Sequence, residues 1–202
     1  VLDVGCGVGT AALCYAARSR TAQVTGLEIQ AELVELFERN IKENHVSERM
    51  RVISGDLLDP PAELEPASYN EVMANPPYLQ AGYVTTPSNE IKSVSTIEGA
   101  ADLACWVKFC LKMVVPSGGV TFIHRADRLD ELLALLTVET GDIVVFPLWP
   151  SAQSEAKRVI VRARRGTKTP MRLTAGMVVH GEGQKFSFEA ENVLRNAVSL
   201  GL

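Results

Sequence analysis

Four consecutive residues, Asn75-Pro76-Pro77-Tyr78, carry the most specific chemistry in this sequence of 202 residues. Each proline fixes its own φ and restricts the residue before it, so the turn is stiff. Stiffness holds the Asn75 side-chain carbonyl and the Pro76 main-chain carbonyl as a preorganised pair of acceptors. A planar amine whose two hydrogens both bond to such acceptors turns its nitrogen lone pair toward an electrophile. The Tyr78 ring can lie flat on a planar substrate and, beside Pro77, fix its approach. The expected chemistry is attack by a planar amine nitrogen, and it needs neither a metal nor a covalent intermediate.

The first residues supply a place for the electrophile. Asp3-Val4-Gly5-Cys6-Gly7-Val8-Gly9 follows an apolar start, and glycines at 5, 7 and 9 let the backbone turn tightly against a ligand. The spacing is G-x-G-x-G, not the G-x-G-x-x-G of dinucleotide loops, and an acidic residue precedes it. A pyrophosphate wants amide groups without a carboxylate beside them. A cationic sulfonium with a zwitterionic tail tolerates Asp3, which can also brace the loop by accepting its N–H bonds. Glu28, at the end of the second apolar segment, suits both hydroxyls of a ribose. Asp56 closes the third and suits an adenine amine, with Leu57 packing on the ring.

These residues need elements that deliver them to one crevice. Strands are expected at Val1–Val4, Val24–Glu28, Met50–Ser54, Tyr69–Ala74 and Gly118–His124. Helical patterns fill Thr10–Ala17, residues 31–43, Gly99–Val114 and Arg128–Thr137 between them. Such alternation calls for parallel strands covered by helices on both faces, with ligands beyond their carboxyl ends. Ile143–Pro147 and Arg158–Ala163 have no helix between them and should pair antiparallel. The expected fold is therefore α/β, a Rossmann-like seven-stranded mixed sheet whose last strand is antiparallel. Residues 1–165 form its catalytic domain, and 166–202 an extension packed on it, with a strand at Met177–His180 and a helix over Glu189–Ser199. The chain opens directly on a core strand, which leads us to expect a lead-in ahead of Val1.

Composition narrows the class. An apolar fraction of 47% with 22% charged residues describes a globular protein and excludes disorder, collagen and a disulfide miniprotein. Cys6, Cys14, Cys105 and Cys110 lack C-x-x-C spacing, and no apolar run reaches a membrane span, so a cytoplasmic protein with no membrane partner is expected. His45, His124 and His180 lack metal-ligand spacing, so no metal is expected, and only His124 ends a strand. Residues 1–154 carry a net charge of -9, whereas 155–172 carry +6. Such a basic segment can contact phosphates or protect an edge strand. Arg158, Arg162 and Arg164 share one face of their strand, and Arg165 begins the turn. Phe146, Pro147 and Trp149 near that hairpin can add an apolar platform or fill the core.

Together, the glycine loop, Glu28, Asp56 and Asn75-Pro76-Pro77-Tyr78 resemble the class I S-adenosylmethionine-dependent methyltransferases that act on amide or exocyclic amine nitrogen. The sequence is most similar to the bacterial methyltransferase small group, which contains a tRNA N6-adenine methyltransferase. The resemblance implies that Gly5, Gly7 and Glu28 bind S-adenosylmethionine and that Asp56 holds its adenine. It also implies that Asn75 to Tyr78 hold the target amine. The glycine-loop reading adds Asp3, Gly9, Leu57 and Asn75 to the cofactor contacts. The expected reaction is methyl transfer to N6 of an adenine in tRNA, the base unstacked to reach Tyr78. Arg158, Arg162, Arg164 and Arg165 would contact phosphates, with Lys168 and Arg172 beside them. Three alternatives share the motifs: N5-glutamine methylation of a protein such as a release factor, DNA N6-adenine methylation, and an inactive scaffold.

Overall fold

A computed structural model describes residues 1–77 and 101–202. Two compact units divide the chain, Val1–Val120 and Thr121–Leu202.

In the first unit, β1 (Leu2–Val4), β2 (Val24–Glu28), β3 (Met50–Ser54) and β4 (Tyr69–Ala74) lie in the order β3-β2-β1-β4, and their pairings are parallel. Val4 stands opposite Leu27 on one side and Ala74 on the other, so three carboxyl ends finish level. Every residue of β1 and β2 is buried, as parallel strands covered on both faces require. Helices α1 (Thr10–Arg18) and α2 (Ala31–Glu43) follow β1 and β2. Phe37 and Ile41 on the apolar stripe of α2 join Cys6, Ala12, Ala16, Val24 and Met50 in one core cluster. Burial of each large side chain stabilises the packing by about 1.5–3 kcal/mol. Asp102 caps α3 (Leu103–Met113) by accepting from the Cys105 N–H at 2.9 Å. Strand β5 (Val114–Arg125) then runs into the second unit.

The second unit continues with a 3-10 turn (Ala126–Arg128), α4 (Leu129–Leu136), β6 (Thr140–Trp149) and β7 (Arg158–Arg165). As the missing helix between them implied, β6 and β7 pair antiparallel, from Thr140 opposite Arg165 to Leu148 opposite Arg158. Among the described residues the strand count is corrected from seven to nine, because β8 (Arg172–Leu173) and β9 (Met177–Val178) both pair parallel to β6. The antiparallel strand is therefore not the last. The chain reverses at Gly166, whose φ is +71°, and lays this extra border beside β6. Two features break the border into short pieces: Pro147 in β6 offers no N–H, and Gly176 presses against the Pro147 carbonyl, where a Cβ would come within 2.1 Å. Helix α5 (Phe188–Asn196) buries Ala190 against Phe146 and Met177. Among the described residues no helix is long and apolar enough to cross a membrane.

Candidate functional site

The glycine loop is shaped by its neighbours. Gly5, Gly7 and Gly9 all take positive φ, at +66°, +56° and +83°. A Cβ on Gly9 would lie 2.0 Å from the Phe37 ring, and one on Gly5 would lie 2.5 Å from the Trp106 indole. Gly7 has nothing within 4 Å of that position. Gly9 thus seats the loop on α2 and Gly5 seats it under α3, while Gly7 leaves backbone open to a ligand.

Glu28 locks this loop to the end of β2. Its Oε2 accepts from the Gly7 N–H at 2.8 Å, and its Oε1 accepts from the N–H groups of Ile29 and Gln30 at 3.0 Å each. The side chain is buried, so its orientation is fixed before any ligand arrives. Asn40 on α2 adds a second brace by donating to the Val8 carbonyl at 2.9 Å.

Asp3 lies below the loop and serves α1. That helix has Gly9 at its N-cap and no side-chain cap, and the Asp3 carboxyl instead accepts from the Ala12 backbone N–H. Burial pushes the Asp3 carboxyl up to about 7, with the nearby Glu28 charge adding to the rise and the Ala12 bond opposing it. Its Oδ2 is buried without a partner. The sequence expectation that Asp3 accepts the loop's own N–H bonds is corrected: its partner is Ala12 of α1, and the loop amides of Gly5, Cys6 and Gly7 bond to Leu27 and Glu28 instead. Burial, then Asp3 and Glu28, also raise the Cys6 thiol far above its ordinary range, so it stays protonated.

One cleft of about 420 Å³ joins the expected ligand residues. Gly5, Gly7, Glu28, Asp56, Leu57, Asn75 and Pro77 all line it. Asp56 is half-buried, its Oδ1 accepting from the Leu58 N–H at 2.9 Å in a tight turn. Asn75 is exposed at the end of β4, on the buried Pro76. Asp3, Gly9 and Pro76 do not line the cleft but sit behind it. Tyr78 lies outside the described residues. Arg158, Arg162, Arg164 and Arg165 all fall on β7 in the second unit.

Sequence reasoning missed Trp106. Its ring also lines the cleft, and its Nε1–H is buried with no acceptor. The helical pattern marks it only as core, since nothing in the spacing says that α3 leans on Gly5. A larger cavity of about 870 Å³ opens among the amino ends of the same strands, beside Val24, Arg49, Tyr69 and Glu71. None of the expected site residues line it, and chemistry in an α/β sheet belongs at the carboxyl ends.

The smaller cleft fits an adenosyl sulfonium by its donor and acceptor set. Glu28 and Asp56 line it from the ends of β2 and β3 with Leu57 beside Asp56, and the space over Gly7, where a Cβ would meet nothing within 4 Å, is open to a ligand. Among the described residues no group of His, Cys, Asp and Glu could hold a metal.

Residues 1–91 match the family model of the methyltransferase small domain. The chain is 26% identical to the rRNA N(6)-adenosine-methyltransferase metl-5 of Caenorhabditis elegans, over 66% of this chain and 55% of that protein. It is also 26% identical to a tRNA1(Val) (adenine(37)-N6)-methyltransferase of Tolumonas auensis, over 68% of this chain and 56% of the relative. The chain thus spans about half the length of the curated relatives it matches. A predicted O-methyltransferase from Agrobacterium tumefaciens has the same fold, with a TM-score of 0.76 at 22% identity, covering 95% of this chain and 86% of that one.

Proposed function

We propose that this chain, whose residues 1–91 match the methyltransferase small domain, is a class I S-adenosylmethionine-dependent methyltransferase that methylates N6 of an adenine in tRNA. The observation that carries the reading is the meeting of Asn75 and Pro77 with Gly5, Gly7, Glu28 and Asp56 on one cleft. When bound, S-adenosylmethionine supplies an electrophilic methyl group. Glu28 accepts from the ribose hydroxyls, Asp56 from the adenine amine, and Leu57 packs on the ring. The side-chain carbonyl of Asn75, which lines the cleft, accepts a hydrogen of the target amine and aims its lone pair into the cleft, and the stiff Pro76-Pro77 pair holds Asn75 in place. No strong base is needed, because the amine becomes acidic once it is alkylated. The names of the adenine-methylating relatives, matched over 66% and 68% of this chain, support RNA over protein as the substrate, whereas a release factor glutamine methyltransferase matches at 31% identity over only 46% of it.

The test is methyl transfer from labelled cofactor to unmodified tRNA, with nucleoside analysis of the product. N6-methyladenosine in the tRNA is the expected result, and label in a release-factor glutamine instead would overturn it. Asn75→Ala should cut turnover at least a hundredfold while cofactor affinity stays within about twofold.

A further inference from the structure

The second unit separates cations that run together in the sequence. Strand β7 spans Arg158 to Arg165, seven residues of rise, or about 23 Å from end to end. That exceeds the screening length of about 8–10 Å at physiological salt, so its two ends act as separate electrostatic surfaces. Arg165 stands opposite Thr140 and Arg164 opposite Gly141, at the start of β6 beside Glu139 and Asp142. Arg158 stands at the other end, opposite Leu148.

That other end adjoins the carboxyl end of β5. The Ala126 N–H donates to the Lys157 carbonyl at 3.3 Å, which sets Lys157 and Arg158 beside His124 and Arg125. Arg125 bonds Asp127 through Nε at 2.8 Å, and Arg128 grips Glu131 through Nε and Nη2 at 2.8–3.0 Å. The acids orient both guanidinium forks; Lys157 is exposed and Arg125 about one-third exposed, whereas Arg128 is only 11% exposed and backs the surface from beneath. At the centre His124 is fully buried, with neither ring nitrogen partnered. Burial first, then Arg128, Arg158 and Arg125, hold its imidazole down to about 4, with only Asp127 opposing. Arg125, Arg128 and Arg158 therefore meet around the buried His124 ring from three elements, with Asp127 and Glu131 offsetting part of their charge.

We infer that the carboxyl end of β5, with Arg125, Arg128, Lys157 and Arg158 around His124, is the surface that takes the phosphodiester backbone of the RNA substrate, and that the Arg164–Arg165 end of β7 is not. The inference rests on the RNA reading given above. It agrees with the rule that α/β sheets bind ligands at the carboxyl ends of their parallel strands.

The experiment compares two charge-reversal pairs, Lys157→Glu with Arg158→Glu, and Arg164→Glu with Arg165→Glu. Binding of unmodified tRNA is measured from about 50 to 200 mM salt, with S-adenosylhomocysteine affinity followed in each variant as the check of folding. The first pair should weaken binding at least tenfold and lower the salt slope by about 1–2. The second should stay within about twofold at an unchanged slope. Equal losses, or the reverse ranking, would overturn the inference. A footprint on the wild-type chain needs no variant: tRNA should protect Lys157 from acetylation and leave Lys168 reactive, and the opposite pattern overturns the assignment. If the wild type binds no tRNA at all, the RNA reading falls with it. If it binds but ignores the first pair, only the surface assignment falls.

Discussion

The amide of Gly7 donates to Glu28 Oε2 at 2.8 Å, across 21 residues of sequence, and so ties the glycine loop to the end of the neighbouring strand. The same carboxylate receives the Ile29 and Gln30 amides on its other oxygen. Glu28→Gln keeps the shape but turns one acceptor into an NH₂ donor, which must then face an N–H. Loss of a partner for a buried donor costs about 1–3 kcal/mol. We expect a lowered melting temperature and at least tenfold weaker binding of S-adenosylhomocysteine by calorimetry. Unchanged affinity would show that Glu28 only braces the loop.

Two glycines of one loop should respond to alanine in opposite ways. At Gly9 the new methyl group meets the Phe37 ring at 2.0 Å with φ at +83°, so Gly9→Ala should cost about 2–4 kcal/mol in urea unfolding. At Gly7 the space is open, so the penalty is the left-handed backbone alone, about 1–2 kcal/mol. The Gly7 methyl group instead projects where ligand must approach, so Gly7→Ala should lose cofactor binding while remaining folded. A Gly7→Ala chain that binds normally would remove that residue from the site.

Asp3 and His124 should give opposite pH slopes of stability. The Asp3 carboxyl sits near 7 against an ordinary 3.8, so the folded chain holds the extra proton in between, and this contribution falls as pH rises through that window. His124 sits near 4 against an ordinary 6.5, so the unfolded chain holds the extra proton there, and this contribution is lost as pH falls from 6.5 toward 4. The two oppose each other between about 4 and 6.5. Relative to the wild type, Asp3→Asn should make stability climb more steeply with pH, and His124→Gln should make it climb less. Urea midpoints across that range measure both, and slopes shifting the same way in the two variants would refute the assignment.

Much of the site was legible because its chemistry is local. Asn75-Pro76-Pro77 and the 5-7-9 glycines declare their backbone geometry in adjacent residues, and Glu28 and Asp56 sit where apolar segments stop. The strands from β1 to β4 and helix α2 appear within a residue of their expected bounds for the same reason. What escaped depends on contacts between distant residues. Trp106 reaches the cleft only because α3 packs on Gly5. Strands β8 and β9 have two residues each and no period of their own, and they exist because β6 offers a ladder. The split of the basic run into two surfaces needed the register of β7 against β6. Spacing along the chain put Asp3 beside the ligand, whereas its carboxyl turns under the loop to Ala12.

The broken border along β6 has a consequence for the molecule at high concentration. Two residues, a bend pinned at Gly176 and two more residues give a foreign chain too few consecutive amides to zip onto, and Arg172 adds charge to the first piece. By ending in fragments, the second unit denies stray polypeptides a template for fibril growth while keeping β6 covered.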